Sequence, residues 1–179
     1  MKLVLIGIQG SGKSTQGNLL SEKLHIPYLS TGHIFREMAK EKTPVGRYIK
    51  ETINAGFLIP DEKTVPIVTE YLSRPEYQDG YILDGFPRTA IQAAEFKAEI
   101  KKVIYLNVSD KEALGRLSYR EDEREDETLL ALRKRIELFH KFTKPVLEFY
   151  REKHVLVEID GEKDIHEINK EILRHIGKE

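Results

Sequence analysis

The chain is 179 residues long, 40% hydrophobic and 33% charged, with 29 Lys+Arg against 30 Asp+Glu and a formal net charge of −1. That length can bury an ordinary core in one domain, and the near-neutral balance excludes a general attraction to nucleic acid or to an anionic membrane. The absence of cysteine excludes disulfides and cysteine-ligated zinc and fits a reducing cytoplasm. The apolar runs are too short to cross a bilayer, and no charged-then-apolar leader is expected at the start of the chain. The six histidines show no HxxxH spacing and read as surface or core residues.

An apolar strand at residues 2–6 runs into Gly7-Ile8-Gln9-Gly10-Ser11-Gly12-Lys13-Ser14-Thr15, a GxxxxGK[ST] turn, and then into a helical pattern at 13–24 with Leu19, Leu20 and Leu24 apolar. Glycines let backbone N–H groups turn inward without a Cβ in the way, and the helix points its positive end at the same spot. The stretch therefore reads as a phosphate-binding loop, in which Lys13 reaches the outer phosphates of a nucleoside triphosphate and the Ser14 hydroxyl ligates Mg²⁺.

Further strands are predicted at 27–29, 81–83, 103–108 and 155–159, with helical patterns between them. Alternation of nearly all-apolar strands with helices predicts an α/β fold, a five-stranded parallel sheet covered on both faces. From Thr31 to Ala55 two short helical patterns broken at Thr43-Pro44 predict a small helical insertion, and Asp61 is placed as the cap of a helix that Arg74-Pro75 ends. Asp110 is placed as the cap of a helix carrying Leu114 and Leu117. An intensely charged stretch at 121–127 follows, and then one long helix at about 127–153 with a kink at Pro145. Asp160-Gly161 turns the last strand into a closing amphipathic helix.

Two further places carry chemistry. The strand Tyr81-Ile82-Leu83-Asp84 sets a carboxylate at the carboxyl edge of the sheet, where it can hold Mg²⁺ or its waters, and Gly85-Phe86-Pro87-Arg88 presents a guanidinium at that edge. Arg116, Arg120 and Arg124 recur at four-residue spacing, with Arg133 and Arg135 beyond them. On a continuous helix they would form a solvated stripe paired with Glu121, Asp122, Glu123 and Glu125. In a phosphate-loop enzyme they would instead spread the charge of a transferring phosphoryl group.

The set comprising Gly7 to Thr15, Ser30-Thr31-Gly32 with Arg36, Asp84 to Thr89 with Gln92, and the arginines from 116 to 135 resembles the adenylate kinases, a family of nucleoside monophosphate kinases. The resemblance implies a three-layer P-loop kinase fold in a single domain. Its core would be 1–29, 60–119 and 128–179, with a helical AMP-binding insertion at 30–59 and a very short lid at 120–127. It implies reversible, Mg²⁺-dependent transfer, ATP plus AMP giving two ADP, by a monomer in the cytoplasm. ATP would be held by Gly10, Ser11, Gly12, Lys13, Ser14, Thr15, Arg116 and Arg120. The AMP phosphate would meet Arg36 and Arg88, and Arg120, Arg124 and Arg135 would gather round the transferring group. Thr31, Gly32, Gly85, Phe86 and Gln92, with a wall of Ile53, Phe57, Leu58 and Ile59, would complete the AMP side. Ser14 and Asp84 would serve the metal.

Gln92 and Thr31 match the adenylate pattern, where pyrimidine kinases of the family tend to have Asn and Ala. The chain departs from the family at His33, which stands where Asp is usual and leaves Asp84 as the metal's anchor. It departs again at Ile8-Gln9 and Ser14, in place of Ala-Pro and Gly, and in a lid where three residues separate Arg120 from Arg124. A guanine-binding switch is disfavoured, because Asn107-Val108-Ser109-Asp110 has Val where an NKxD motif needs Lys.

Overall fold

The computed structural model describes residues 1–119 and 128–178. Strands β1 (Lys2–Ile6), β2 (Tyr28–Ser30), β3 (Tyr81–Asp84), β4 (Lys102–Asn107) and β5 (Leu156–Asp160) form one parallel sheet in the order β2-β3-β1-β4-β5. Side chains alternate across it. Leu3 and Leu5 with Ile82, Ile104 and Ile159 meet Leu20 of α1 (Lys13–Leu24) and Ile168 and Ile172 of α9 (Ile165–His175). Val4 and Ile6 with Leu83 and Val103 face the other way, onto α4 (Asp61–Leu72), α5 (Ala90–Glu95) and α8 (Val146–Glu152) through Val68, Ala93, Val146 and Leu147. The all-apolar strands are thus explained by burial on both faces, each fully covered Leu or Ile adding about 1.5–3 kcal/mol.

The helices α2 (Thr31–Ala39) and α3 (Pro44–Asn54) stand off the sheet on a small core of their own, Phe35, Ile49 and Ile59. Thr43 caps α3 through its hydroxyl, and Pro44 fills the first helical position, where its missing N–H costs nothing. At the end of this pair Gly56 sits at φ 79°, and a Cβ there would stand 2.9 Å from the Ala131 Cα of α7 (Leu129–Leu138). The helix pair and α7 therefore meet backbone to backbone.

Four features differ from the sequence-based expectations. Asp61 does not cap α4, because Pro60 occupies the cap position and the Asp61 carboxylate is drawn away to α5. Asp110 is likewise the first residue of α6 (Asp110–Ser118) rather than its cap; Ser109 accepts from the Glu112 N–H, and Asp110 pairs with His140 at 2.8 Å. Between the third and fourth strands, where a helical pattern was expected without bounds, the helix is only the short α5, capped by Thr89, with too few residues to show a helical stripe. Finally, the long helix at 127–153 is two helices, α7 and α8, joined by a π-helical turn, Phe139–Thr143. Pro145 has no N–H to give and its ring crowds the preceding turn, which widens so that Lys144 N–H reaches Phe139 O at 2.8 Å.

One contact of α1 fixes the neighbourhood of the phosphate loop. Gly17 packs on the Tyr28 ring so closely that a Cβ would overlap it. Helix propensity alone would make Gly17→Ala stabilising by about 1 kcal/mol. The overlap reverses the sign, and Gly17→Ala is expected to lower unfolding free energy by about 1–3 kcal/mol in urea titrations.

Candidate functional site

The connection leaving β1 passes through α1 on one face of the sheet, and that leaving β3 passes through α5 on the other. This parts the carboxyl ends of two neighbouring strands and opens a crevice, the place where open α/β sheets take ligands. Register brings Leu5 and Ser30 level with Asp84, so that the phosphate loop, the start of α2 and the end of β3 share one edge.

The loop is shaped by Gly10 and Gly12 at φ 88° and 93°, and a Cβ at Gly10 would come within 2.6 Å of the Ala113 carbonyl oxygen of α6. Only glycine fits that left-handed, backbone-crowded position. Gly12, Lys13, Ser14 and Thr15 line the cleft, and the first-turn N–H groups of α1 lack intrahelical partners. The Lys13 ammonium donates to Gly7 O at 2.7 Å and Ile8 O at 2.9 Å, which holds it over its own loop. Ser11 is 1% exposed, its side chain tucked beneath the turn rather than into the cleft. Behind the loop, Gln16 donates to Ile165 O at 2.8 Å and accepts from Asn169 of α9 at 3.1 Å, which fastens α1 to the sheet's back layer.

Asp84 is 5% exposed. Its Oδ2 accepts from the Tyr28 phenol at 2.7 Å, and its Oδ1 has no hydrogen-bond partner among the described residues. Burial first, and then the Asp84 charge, push the Tyr28 phenol well above its usual range, with Ser14 and Ser30 acting the other way, so Tyr28 remains a proton donor. A buried carboxylate oxygen beside a serine hydroxyl and a phosphate loop is a hard-oxygen donor set suited to Mg²⁺ and its waters.

Opposite the loop three guanidinium groups converge. Arg88 donates through Nε to Gly85 O at 2.7 Å, and its backbone is fixed at both ends, by Gln92 Oε1 on its N–H at 2.7 Å and by the Thr143 hydroxyl on its carbonyl at 2.8 Å. Burial, and then Arg135 and Arg36, hold the Arg88 guanidinium below its ordinary range while Asp84 opposes them. Arginine stays charged regardless, so the cluster carries repulsion that an anion would relieve. Arg36, in the last turn of α2, lies against Gly32, where a Cβ would stand 3.2 Å from its Nη1. Arg135 spans the site, donating through Nη1 to Gln9 Oε1 at 2.9 Å and through Nη2 to Ile53 O at 2.7 Å.

The same cleft is walled by Ile53, Phe57, Leu58 and Ile59, with Gly85, Phe86 and Gln92 across from them. Lys134 lies 5.2 Å from the centre of the Phe57 ring. Thr31 stands elsewhere: it is 1% exposed and its hydroxyl donates to Asp84 O at 3.2 Å, so its side chain supports β3 and does not line the cleft. Arg116 also lies away from the cleft lining, held by Glu112 at 2.8 Å and by Gly161 O at 2.9 Å beside the loop after β5. His33 is exposed. Arg120 and Arg124, and the lid assigned to 120–127, lie outside the described residues.

Sequence reasoning missed Thr143, which holds the Arg88 carbonyl, and Asp61, whose Oδ1 accepts from Thr89 at 2.8 Å and from Gln92 at 2.9 Å. Both act across long sequence separations that no local pattern reports. The run Thr89-Ala90-Ile91-Gln92 does match a helix-start signature of Thr followed three residues later by Gln, which would have flagged Gln92 as a residue folded back on its own turn.

Comparison with known proteins gives a consistent result. The family model described as Adenylate kinase matches residues 5–155. The chain is 34% identical to the adenylate kinase of Caldicellulosiruptor bescii over an alignment of 215 positions, gaps included, covering 100% of each chain. It is 35% identical to that of Syntrophotalea carbinolica, covering 99% of each, and 34% identical to adenylate kinase 1 of Nostoc sp. over 183 residues, covering 98% of each. With a parallel sheet that opens between β1 and β3, a glycine-shaped phosphate loop and relatives matched end to end, the chain belongs to the adenylate kinase family.

Proposed function

We propose that this chain transfers a phosphoryl group reversibly between Mg·ATP and AMP to give two ADP. The observation that carries the reading is the pairing, across one cleft, of a phosphate loop on β1 with a second set of cations, Arg36 and Arg88, and a guanidinium, Arg135, joined to both sides. A protein that only binds a triphosphate needs the first half alone. Two anion sites facing each other at one sheet edge suit two phosphate-bearing substrates.

In this reading Lys13 and the N–H groups from Gly10 to Thr15 hold the ATP phosphates, with Arg116 beside the ATP base. Arg36 and Arg88 clamp the AMP phosphate, and Arg135, Arg120 and Arg124 surround the group in transit. An AMP phosphate oxygen attacks the terminal phosphorus in line, that bond forms as the bond to the bridging oxygen breaks, and ADP leaves. The nucleophile is already anionic near neutral pH, so no general base is required. Rate then comes from alignment and from cations matched to charge spread over the transferring oxygens. Ser14 and Asp84, the latter through water, would hold Mg²⁺, which supplies further neutralisation of the phosphates. Helices α2 and α3, as the AMP-binding insertion 30–59, and the lid 120–127 would close over the pair and exclude water as a competing acceptor. Gln92, facing the cleft with a donor and an acceptor on one side chain, would read the AMP base. The lack, among the described residues, of any helix long and apolar enough to cross a membrane is compatible with action in the cytoplasm.

A coupled assay of ADP formation from Mg·ATP with AMP, CMP, UMP and GMP offered singly tests the reading. Turnover is expected with AMP in strong preference, and turnover with a pyrimidine monophosphate instead would overturn the assignment of the acceptor. Arg88→Ala is expected to lower kcat/KM for AMP by about a hundredfold to a thousandfold, while the midpoint of thermal unfolding moves by only a few degrees. Retained activity would remove Arg88 from the AMP clamp. In this reading so short a lid would offer few contacts to the donor base, so GTP should replace ATP with a loss in kcat/KM well below a thousandfold, about 4 kcal/mol. A larger preference for ATP would show that selection of the donor base does not depend on lid length.

A further inference from the structure

Gln92 is 2% exposed and lines the cleft, and its carboxamide's hydrogen bonds agree on one orientation. Its Oε1 accepts from the Arg88 N–H at 2.7 Å, and its Nε2 donates to Asp61 Oδ1 at 2.9 Å, the same oxygen that takes the Thr89 hydroxyl at 2.8 Å. The backbone of Gln92 is fixed as well, its N–H donating to Thr89 Oγ1 at 3.2 Å. A main-chain N–H can only donate and a carboxylate can only accept, so the amide's orientation follows from chemistry. Turned over, it would set NH₂ against N–H on one side and a carbonyl against a carboxylate on the other.

We infer that Asp61 is a positioning residue that locks the Gln92 amide and thereby makes the site prefer a 6-aminopurine monophosphate to a 6-oxopurine one. The inference rests on the reading of Gln92 as the group that faces the AMP base. With one lone pair and one N–H committed to Arg88 and Asp61, Gln92 keeps one acceptor and one donor for a ligand. Adenine offers the complement, an amino group next to an unprotonated ring nitrogen. Hypoxanthine offers the reverse, a carbonyl next to a ring N–H, and can pair only if the amide turns over. The turned amide leaves buried polar groups facing like groups, which is how a small chemical difference becomes strong rejection.

Asp61 has a competing role as an acidic residue in the first turn of α4, favourable to the helix dipole. That role affects stability and leaves base preference alone. Its place in the chain favours the positioning role, because it follows Ile59, which lines the cleft, and Pro60, which gives the helix no side-chain cap.

The test compares kcat/KM for AMP and IMP, with Mg·ATP as donor, in the unmodified protein, Asp61→Asn and Gln92→Ala. Asparagine keeps the shape of Asp61 and can offer Gln92 either its oxygen or its NH₂, so one of the two restraints on the amide is lifted while the Arg88 N–H keeps the other. The AMP:IMP ratio is expected to fall at least tenfold in Asp61→Asn, chiefly through a lower KM for IMP, with KM for ATP within twofold of the unmodified protein. A ratio unchanged in Asp61→Asn but altered in Gln92→Ala overturns the role of Asp61 and leaves the reading of Gln92 standing. A ratio unchanged in both overturns the reading of Gln92 itself. Should Asp61→Asn fail to fold, NMR of the unmodified protein decides. A scalar coupling transmitted across the hydrogen bond from Gln92 Nε2 to the Asp61 carboxylate carbon supports the lock, and a resolved Gln92 NH₂ signal without that coupling overturns it.

Discussion

Cations gathered for phosphate repel one another when nothing negative lies between them, and the site depends on how that repulsion is restrained. The solution recurs at three of them, Lys13, Arg88 and Arg135: main-chain carbonyl oxygens hold the side chains in place. Lys13 is tied to Gly7 and Ile8, Arg88 to Gly85 and Arg135 to Ile53. Carbonyl dipoles orient a cation without neutralising it, so the charge remains available to a ligand. Among the described residues Asp84 is the one carboxylate lining the cleft, and one of its oxygens is already engaged by Tyr28. A second acid placed there would pair with the arginines and compete with the phosphates they are built to receive.

The same economy governs the parts that meet at the cleft. Arg135 reaches the phosphate loop through Gln9 and the helix pair through Ile53, so a displacement of α3 is felt at the loop through a single side chain. Gly56 permits α3's end to approach α7 at the backbone. Gln9 stands where the resemblance leads one to expect proline, and its amide oxygen gives Arg135 a partner that proline could not supply.

Most of the architecture was legible because burial on both faces leaves a plain mark: Val4, Leu5, Ile82 and Ile104 sit in apolar runs that only a covered parallel strand explains. The phosphate loop was legible because its glycines answer a local need for left-handed backbone. What could not be read has a common physical character. Asp61 and Asp110 look like helix caps by local pattern, yet each carboxylate is committed to a partner remote in sequence, Gln92 in one case and His140 in the other. The break between α7 and α8 was half visible, since Pro145 announces a disturbance without saying that the preceding turn will widen. Thr31 matches the adenylate pattern by sequence, and no local pattern says that its hydroxyl donates to the Asp84 carbonyl. Residues that build the scaffold obey short-range periodicity, and residues that orient the site obey three-dimensional proximity.

The sheet order has a consequence for how the molecule comes to exist at all. The strand that carries the phosphate loop lies in the middle, with Lys2 paired to Tyr81 on one side and Leu3 level with Lys102 on the other. Neither neighbour is close in sequence, so β1 gains its hydrogen bonds only after long segments of chain have been brought back to it. Such pairings demand large loop closures before they yield any stabilisation, which places this topology among the slower folders for its size. Because the loop between β1 and α1 takes its shape from α6 behind Gly10 as well as from the sheet, the ability to bind phosphate should arise late. Nucleotide binding would then report on the whole fold and could serve as a sensor of its completion.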